Sequence, residues 1–494
     1  MGNDGPICIR HSRALLLAAG ASGTVEGELY QRITQSSVAV SVDPDCPGAS
    51  ATALTLVDTL RRLPATLSLE RTGLPAHLVH ELVAAAEAVD RDRELQVRPS
   101  PAGAIRIHVG PHNPGAAIRV VPEGHGAHLL LDSTATVRPT RSPSGLGCVL
   151  AASFAAGRTF VELAAVTPTR FRTRPHTAFC PVTLSGDLSA APDVPPDAVA
   201  DLGILGAGAV GTAVGRILSL CELQGHLLIA DRQSFATENL GTYSLGTAAD
   251  ADAATAKTRI LRRSLPSWDV SCFDSDIADL PAQIDSGNYR WPHTVITALD
   301  TVQARRDAQR LWPDHLIDAG TSDTVAGIHD LSPDGPCMNC IYPIDTAGPS
   351  AEARLAERTG LDAAYLAEGQ EPLDAAVLEG LTREVRETLR PLVGQPRCGI
   401  AHAIGLSSLD AAGYQPAIPF VAQQAACLAI GRTFARVSGL TSPALVVQYD
   451  TLLGPHLLHT DGRRPQADCY CQGAAGRVRS VRQERARRAG VQSR

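Results

Sequence analysis

The residues best suited to chemistry lie in the middle of the chain. An apolar run, Leu202-Gly203-Ile204-Leu205, leads into Gly206-Ala207-Gly208-Ala209-Val210-Gly211 and then Thr212–Leu218, the order of a strand, a tight turn and a helix. Glycines at this spacing let the backbone approach a phosphate, and the free N–H groups of a helix start favour an anion. A second apolar run, Leu227–Ala230, ends at Asp231, about where a doubly wound fold sets a carboxylate against a ribose hydroxyl. A third, Val295–Leu299, ends at Asp300, at the carboxyl edge where such sheets hold ligands. A carboxylate there can hold Mg²⁺ through its oxygens or cap the helix expected over Thr301–Arg310, and the two roles are compatible. Cys337-Met338-Asn339-Cys340 has the spacing with which two thiolates grip half of a tetrahedral zinc site, a redox-active or merely buried pair being the alternative. A glycine-rich turn in a core is the plain alternative for the first motif. Strand, turn, helix, strand and acid in that order favour a nucleotide.

These groups need a scaffold of some size, and 494 residues suffice for two to three domains. The rhythm of strand and helix makes the class α/β. An apolar share of 44% and a charged share of 19% fit a soluble globular protein. A net charge of −7 implies no bulk attraction to nucleic acid. No uninterrupted apolar run reaches the roughly 18 residues of a membrane span. The short run Leu15–Ala19 lacks a cleavage site, so neither a membrane segment nor a signal peptide is expected. Twelve cysteines scattered through a long chain read as reduced thiols in the cytoplasm, not as a secreted disulfide framework.

Two further features give the nucleotide site a context. Asn239-Leu240 follows Asp231 closely, and Lys257 comes next; it is the only lysine in the chain. Together with the glycine turn and Asp231, these residues resemble the ubiquitin-activating-enzyme superfamily in its ThiF/MoeB/HesA-type adenylyltransferase branch. The resemblance implies that the nucleotide is ATP and that the reaction is adenylation of a carboxylate. By it, Gly206, Gly208 and Gly211 admit the phosphates, Asp231 holds the ribose, Asn239 belongs to the same site, Lys257 neutralises phosphate charge and Asp300 stands by Mg–ATP. It also joins Cys337 and Cys340 to Cys469-Tyr470-Cys471 in a structural Zn²⁺ site. The second pair is spaced CxC where better-known members carry CxxC, a tighter bite. Near the N-terminus, Ile9-Arg10-His11-Ser12-Arg13 resembles the superfamily helix whose second arginine reaches the partner's nucleotide. That position is Arg13, an arginine finger against phosphate charge.

After Val40 no glycine turn follows; the sequence runs Asp43-Pro44-Asp45-Cys46-Pro47-Gly48, with further strands expected over Ala104–Val109 and His128–Leu131. Residues 151–160 (AASFAAGRTF) echo residues 425–434 (AACLAIGRTF). The expected fold is therefore a pair of tandem Rossmann-like doubly wound sheets, a pseudo-dimer. Its first half, residues 1–190, is degenerate and carries the arginine-bearing helix. Its second half, residues 199–475, binds the nucleotide, with a crossover region over 344–415, and a basic tail occupies 476–494. A Pro-rich linker over Ser189–Asp197 joins the halves. The chain would be a pseudo-dimeric monomer or a homodimer, with Arg13 of the silent half serving the active one. Within the crossover region, Leu373–Leu389 has helical spacing, and Cys398 is a candidate for the acyl-accepting cysteine that family members can carry there, or a structural thiol. The arginine-rich tail reads as a solvated end.

The resemblance has one gap. Thr242 stands where the family has an arginine that helps hold the ATP phosphates, and a hydroxyl does not replace a guanidinium against a triphosphate. Arg232 and Arg259 are possible substitutes. The implied function is an enzyme that adenylates the C-terminus of a ubiquitin-like or sulfur-carrier protein, or of a peptide. Thr242 keeps a second reading open, a catalytically weak scaffold that binds a precursor peptide for a partner enzyme. A nicotinamide-dependent oxidoreductase would use the glycines and Asp231 but leaves Lys257 and the cysteine pairs without a role.

Overall fold

The computed structural model describes residues 26–113, 115–132, 134–165, 174–199, 201–343, 351–368, 371–394, 397, 400, 418–440 and 445–492. They pack as two units, one drawn from residues up to 340 and from 417 onward, the other from 341–416.

The larger unit contains two sheets. The first half runs α1 (Glu26–Gln35), β1 (Ser37–Val42), α2 (Ala49–Arg61), β2 (Thr66–Leu69), α3 (Ala76–Val89), β3 (Gln96–Val97), β4 (Ile105–Val109), β5 (Ile118–Glu123), β6 (Gly126–Leu130), α4 (Gly145–Ala164) and β7 (His176–Phe179). The second runs β8 (Asp201–Leu205), α5 (Ala209–Leu220), β9 (Gly225–Ala230), α6 (Lys257–Arg263), β10 (Trp268–Phe273), α7 (Leu280–Asp285), β11 (Thr294–Thr297) and α8 (Val302–Gln309). It continues through β12 (His315–Ser322), β13 (Val325–Leu331), α9 (Pro419–Val437), β14 (Leu445–Asp450), β15 (His459–Gly462) and α10 (Ala475–Gln492).

The strand orders are β3-β2-β1-β4-β5-β6-β7 and β10-β9-β8-β11-β12-β13-β14-β15, the same permutation with one added edge strand. In each sheet the first five strands are parallel and the rest antiparallel. Parallel strands covered on both faces need unbroken apolar stretches, and β8 is buried at every residue. The tandem expectation is met, and the echoed segments fall in equivalent helices: residues 151–160 in α4, residues 425–434 in α9.

These two helices join the halves. α9 packs on α4 and α5, and α4 packs on α2 and α5. Phe160 of α4 meets Phe420 of α9 with ring centroids 5.4 Å apart, and Phe179 of β7 meets Tyr449 of β14 at 5.9 Å. Helix α4 has the length and mean apolarity of a membrane span, which no uninterrupted run in the sequence suggested, but it is buried inside the protein. Small residues broken by Ser153, Gly157 and Thr159 let it pack between the sheets.

The halves differ where the nucleotide would bind. In the first, α2 begins at Gly48, over which the Cys148 thiol of α4 closes, 3.6 Å from the Gly48 carbonyl oxygen. Burial pushes the Cys148 thiol up to about 11. That turn is packed with protein, in keeping with a degenerate copy.

In the smaller unit, helices Ala351–Thr359, Ala363–Ala367 and Arg383–Leu389 and the 3₁₀ turn Ala375–Leu378 surround Leu361, Leu366, Leu373, Leu378, Leu381 and Leu389. The single helix expected over Leu373–Leu389 is broken in two. Asp374 accepts from Ala376 N (2.9 Å) and Thr382 Oγ1 from Val385 N (3.5 Å), so each piece has its own cap. The C-terminal arginines also depart from expectation: α10 is docked, not solvated. Arg485 is buried, pairs with Asp285 (2.7 Å) and donates to the Arg310 and Leu311 carbonyls, both at 2.8 Å; Arg482 pairs with Asp314.

Candidate nucleotide site

The turn after β8 tolerates glycine alone at two points. Gly206 has φ +93°, and a Cβ on it would lie 2.5 Å from the Ala298 carbonyl oxygen. A Cβ on Gly211 would lie 2.0 Å from the Gly206 carbonyl oxygen. Gly208 starts α5 and no side chain caps that helix, so its first-turn N–H groups remain available to an anion. One strand over, at the end of β9, Asp231 Oδ2 accepts from Ala207 N (2.7 Å) and Oδ1 from Gln233 N (2.8 Å). The carboxylate thus holds the glycine turn itself.

Lys257 is the first residue of α6 and only 3% exposed. Its Nζ donates to Gln233 Oε1 (2.6 Å) and stands 5.1 Å from the centre of the Tyr243 ring. A buried ammonium needs such company. Tyr243, which the sequence did not single out, links two parts of the site. Its hydroxyl lies 3.7 Å from where a Gly208 Cβ would be, and its ring lies under Lys257. No motif marks it.

Asn239 lies in the 3₁₀ turn Thr237–Gly241, where its Oδ1 accepts from Ala236 N (2.9 Å). Thr242 is fully buried with its hydroxyl turned toward the Asn239 carbonyl, 3.5 Å away. The position of the family arginine has therefore become core. Of the expected substitutes, Arg232 is exposed and pairs with Asp276 at 3.1 Å, and Arg259 is exposed on α6.

Asp300 is exposed just past β11, whose Thr297 is in register with Leu205 of β8. Among the described residues its carboxylate makes no hydrogen bond or ion pair. The cap of α8 is its neighbour Thr301, whose Oγ1 accepts from Ala304 N (3.2 Å), so capping does not occupy Asp300. One strand further, buried Asp318 of β12 accepts from Thr297 Oγ1 (2.6 Å), pairs with Arg305 of α8, and faces His329 Nδ1 (3.2 Å). Burial works to raise the Asp318 carboxyl, but Arg305, His329 and Thr297 outweigh it and hold it below its ordinary value. These partners come from separate elements with no shared motif, so spacing alone does not reveal the cluster. Arg13 and Cys398 lie outside the described residues.

At the far end of the same unit, the sulfurs of Cys337, Cys340, Cys469 and Cys471 lie within 4.8 Å of one another. Cys337 Sγ is 3.9 Å from Cys340 Sγ and 3.5 Å from Cys469 Sγ, and Cys340 Sγ is 3.6 Å from Cys471 Sγ. Tetrahedral zinc with Zn–S of about 2.3 Å needs sulfurs about 3.8 Å apart. The four thiols fit that ion. The tighter CxC bite is accommodated because Cys469 stands at the start of the short helix Tyr470–Gly473 and Cys471 lies in its first turn. Gln466 N, 3.4 Å from Cys340 Sγ, gives the cluster an outer hydrogen bond.

A glycine turn at the start of a helix, a carboxylate on the next strand, a buried lysine and, on the same doubly wound sheet, four clustered cysteines with the spacing of a metal site define a nucleotide-binding α/β protein. The profile of the ThiF family matches residues 199–471, more than half of the chain, and the protein belongs to that family. No curated protein matches it in sequence. Among solved structures it is similar to E. coli MccB with MccA-N7isoASN, at 16% identity and TM-score 0.36, covering 56% of this chain and 68% of that one. It is likewise similar to E. coli MccB with ATP (16%, 0.35, covering 56% and 69%). The microcin C7 biosynthetic enzyme MccB in complex with N-formylated MccA gives 17% and 0.36, covering 56% and 69%. At those TM-scores the likeness is loose, and the family assignment does not rest on it.

Proposed function

We propose that the chain is an ATP-dependent adenylyltransferase acting on a carboxylate. The observation that carries this is the chain's one lysine, buried at the start of α6 between Gln233 and Tyr243, the tyrosine whose hydroxyl lies by Gly208 of the glycine turn. A dinucleotide-dependent oxidoreductase has no need of a buried ammonium there, whereas a triphosphate does.

The carboxylate oxygen attacks the α-phosphorus of ATP. A new O–P bond forms, the bond from that phosphorus to the bridging oxygen breaks, and pyrophosphate departs with the electron pair. The protein contributes position and charge, not a nucleophile. The glycine turn and the first N–H groups of α5 receive phosphate oxygens, and Asp231 turns a free lone pair to the ribose. Lys257 neutralises charge on the leaving pyrophosphate, and Asn239, its oxygen engaged in its own turn, offers its amide N–H. Asp300 would hold Mg²⁺, which supplies further charge neutralisation when bound. Arg13 is assigned the finger role by family pattern. The four cysteines would hold Zn²⁺ as a clamp with no part in the chemistry. The substrate is the C-terminal carboxylate of a peptide, or of a ubiquitin-like or sulfur-carrier protein, in the reducing cytoplasm.

The test is mass spectrometry of chain, Mg–ATP and a panel of carrier proteins and peptides. A substrate heavier by one adenylyl group (AMP less a water), with equimolar pyrophosphate, is the expected result. One observation favours a second reading: buried Thr242 leaves the triphosphate without the family's arginine. A scaffold of that kind would bind a peptide from the panel and release no pyrophosphate.

A further inference from the structure

The silent half reaches the nucleotide site through a buried latch. Asp58 and Arg62 lie at the C-terminal end of α2, and both are buried. Arg62 Nη2 pairs with Asp58 at 3.0 Å, while Nη1 crosses to the second half and donates to the Leu240 carbonyl at 2.7 Å. The same guanidinium reaches the Gly246 carbonyl at 3.5 Å. Asp58 also faces Arg216 of α5 at 3.9 Å, and Arg216 donates to the Ser244 carbonyl at 3.3 Å. Alongside, Gln423 of α9 donates to Thr59 Oγ1 (2.8 Å) and Ser244 Oγ (3.2 Å). One carboxylate thus orients two guanidinium forks, one from each half, and they hold three carbonyls of the segment 240–246.

That segment carries Tyr243, whose hydroxyl lies 3.7 Å from where a Gly208 Cβ would be and whose ring centre is 5.1 Å from the Lys257 ammonium. It also follows directly on the turn that carries Asn239. We infer that Arg62 is a positioning residue: the silent half, lacking a nucleotide turn of its own, serves as a clamp that fixes the 240–246 segment and through Tyr243 the phosphate side of the active half. Buried at 2% exposure, Arg62 does not itself meet a phosphate, so it does not replace the family arginine lost at Thr242. It holds the shell around the site. This rests on the adenylation reading only for its consequence on ATP.

The test compares the full-length wild-type chain with Arg62→Ala, and with Asp58→Ala/Arg62→Ala, which leaves neither charge of that pair behind. Two quantities are read: hydrogen exchange of the amides in 237–246, and affinity for Mg–ATP. The clamp predicts faster exchange confined to 237–246 and the segments packed on it, together with about tenfold weaker ATP binding, the scale of one lost charge-assisted hydrogen bond. Arg62→Lys, which keeps a single donor, should fall between. Unchanged exchange at 237–246 in both variants overturns the clamp. Faster exchange with undiminished ATP affinity overturns its link to the nucleotide. A wild-type chain that binds no ATP sinks the adenylation reading instead, and the exchange result still decides the clamp.

Discussion

At the scale of single residues, two side chains give sharp expectations. Asp300 is exposed, uncapped and just past the strand in register with β8. Asp300→Asn should leave metal-free ATP binding intact and raise the magnesium concentration needed for half-maximal pyrophosphate release by about tenfold, the scale of one lost charged ligand contact. A magnesium titration of both chains checks it. His108 of β4 is buried, its Nδ1 is 3.0 Å from Ser41 Oγ, and its Nε2 has no partner among the described residues. Burial lowers its pKa to about 4; nearby Asp43 pulls the other way, and Arg119 and His112 add to the lowering. Below pH 6.5 the unfolded chain takes up a proton that the folded chain refuses. Stability should therefore fall as pH drops from 6.5 toward 4, by up to about 3 kcal/mol from this group, and level off below. Urea titrations across that window should show a flatter slope for His108→Gln than for the wild type.

Residue-scale legibility followed from whether a motif existed. Gly206, Asp231 and Lys257 could be named from the sequence because the turn, the strand end and the helix start each leave a local pattern. Tyr243, Arg62 and the Asp318–Arg305–His329 cluster could not. Their partners lie on other strands or in the other half, and a tyrosine or an arginine in an apolar context has no periodicity of its own.

Among the elements, the cysteine clamp binds the turn after β13 to the helix before α10. One zinc per chain is expected by elemental analysis. Removing it with a strong chelator, or replacing Cys469 by Ser, should lower Tm and raise protease sensitivity of 466–492. The loss should concentrate there, because α10 is held otherwise by arginine contacts to Asp285, Asp314 and three carbonyls. The clamp was legible because a second close pair of cysteines near the C-terminus offered the other half of a four-sulfur set, which a lone redox dithiol does not need. The docking of α10 was not: its acceptors lie at the end of α7 and in the connection from α8 to β12, far away in sequence, so composition alone suggested a solvated end. Likewise, helical spacing over Leu373–Leu389 was real, but Asp374 and Thr382 each offered a side-chain cap that competes with a continuous helix.

For the whole molecule, the repeat in the sequence marks the two helices that hold the halves together. Gly431 of α9 lies against Pro181 of the first half, where a Cβ would be 2.5 Å from the proline ring and 2.6 Å from its backbone carbon. The equivalent Gly157 of α4 has more room, 3.2 Å to the Phe420 ring. Gly431→Ala should cost about 1–3 kcal/mol, since backbone cannot yield, and Gly157→Ala less. Thermal unfolding of the two variants should rank them in that order. The tandem arrangement was readable from one echoed decapeptide and one missing glycine turn; the contact between the halves was not, because its aromatic pairs and its buried Arg62 and Asp58 contacts join residues far apart in sequence and leave no local pattern.

The central claim is that the second half holds a triphosphate against the chain's one lysine. Equilibrium dialysis of radiolabelled ATP with magnesium tests it directly, using the wild-type chain and Lys257→Ala. The account predicts one ATP bound per wild-type chain, and binding weaker by roughly two orders of magnitude in the variant, as the loss of a buried charge-assisted contact requires. Equal binding by the two chains, or none by either while a nicotinamide dinucleotide binds, would contradict it.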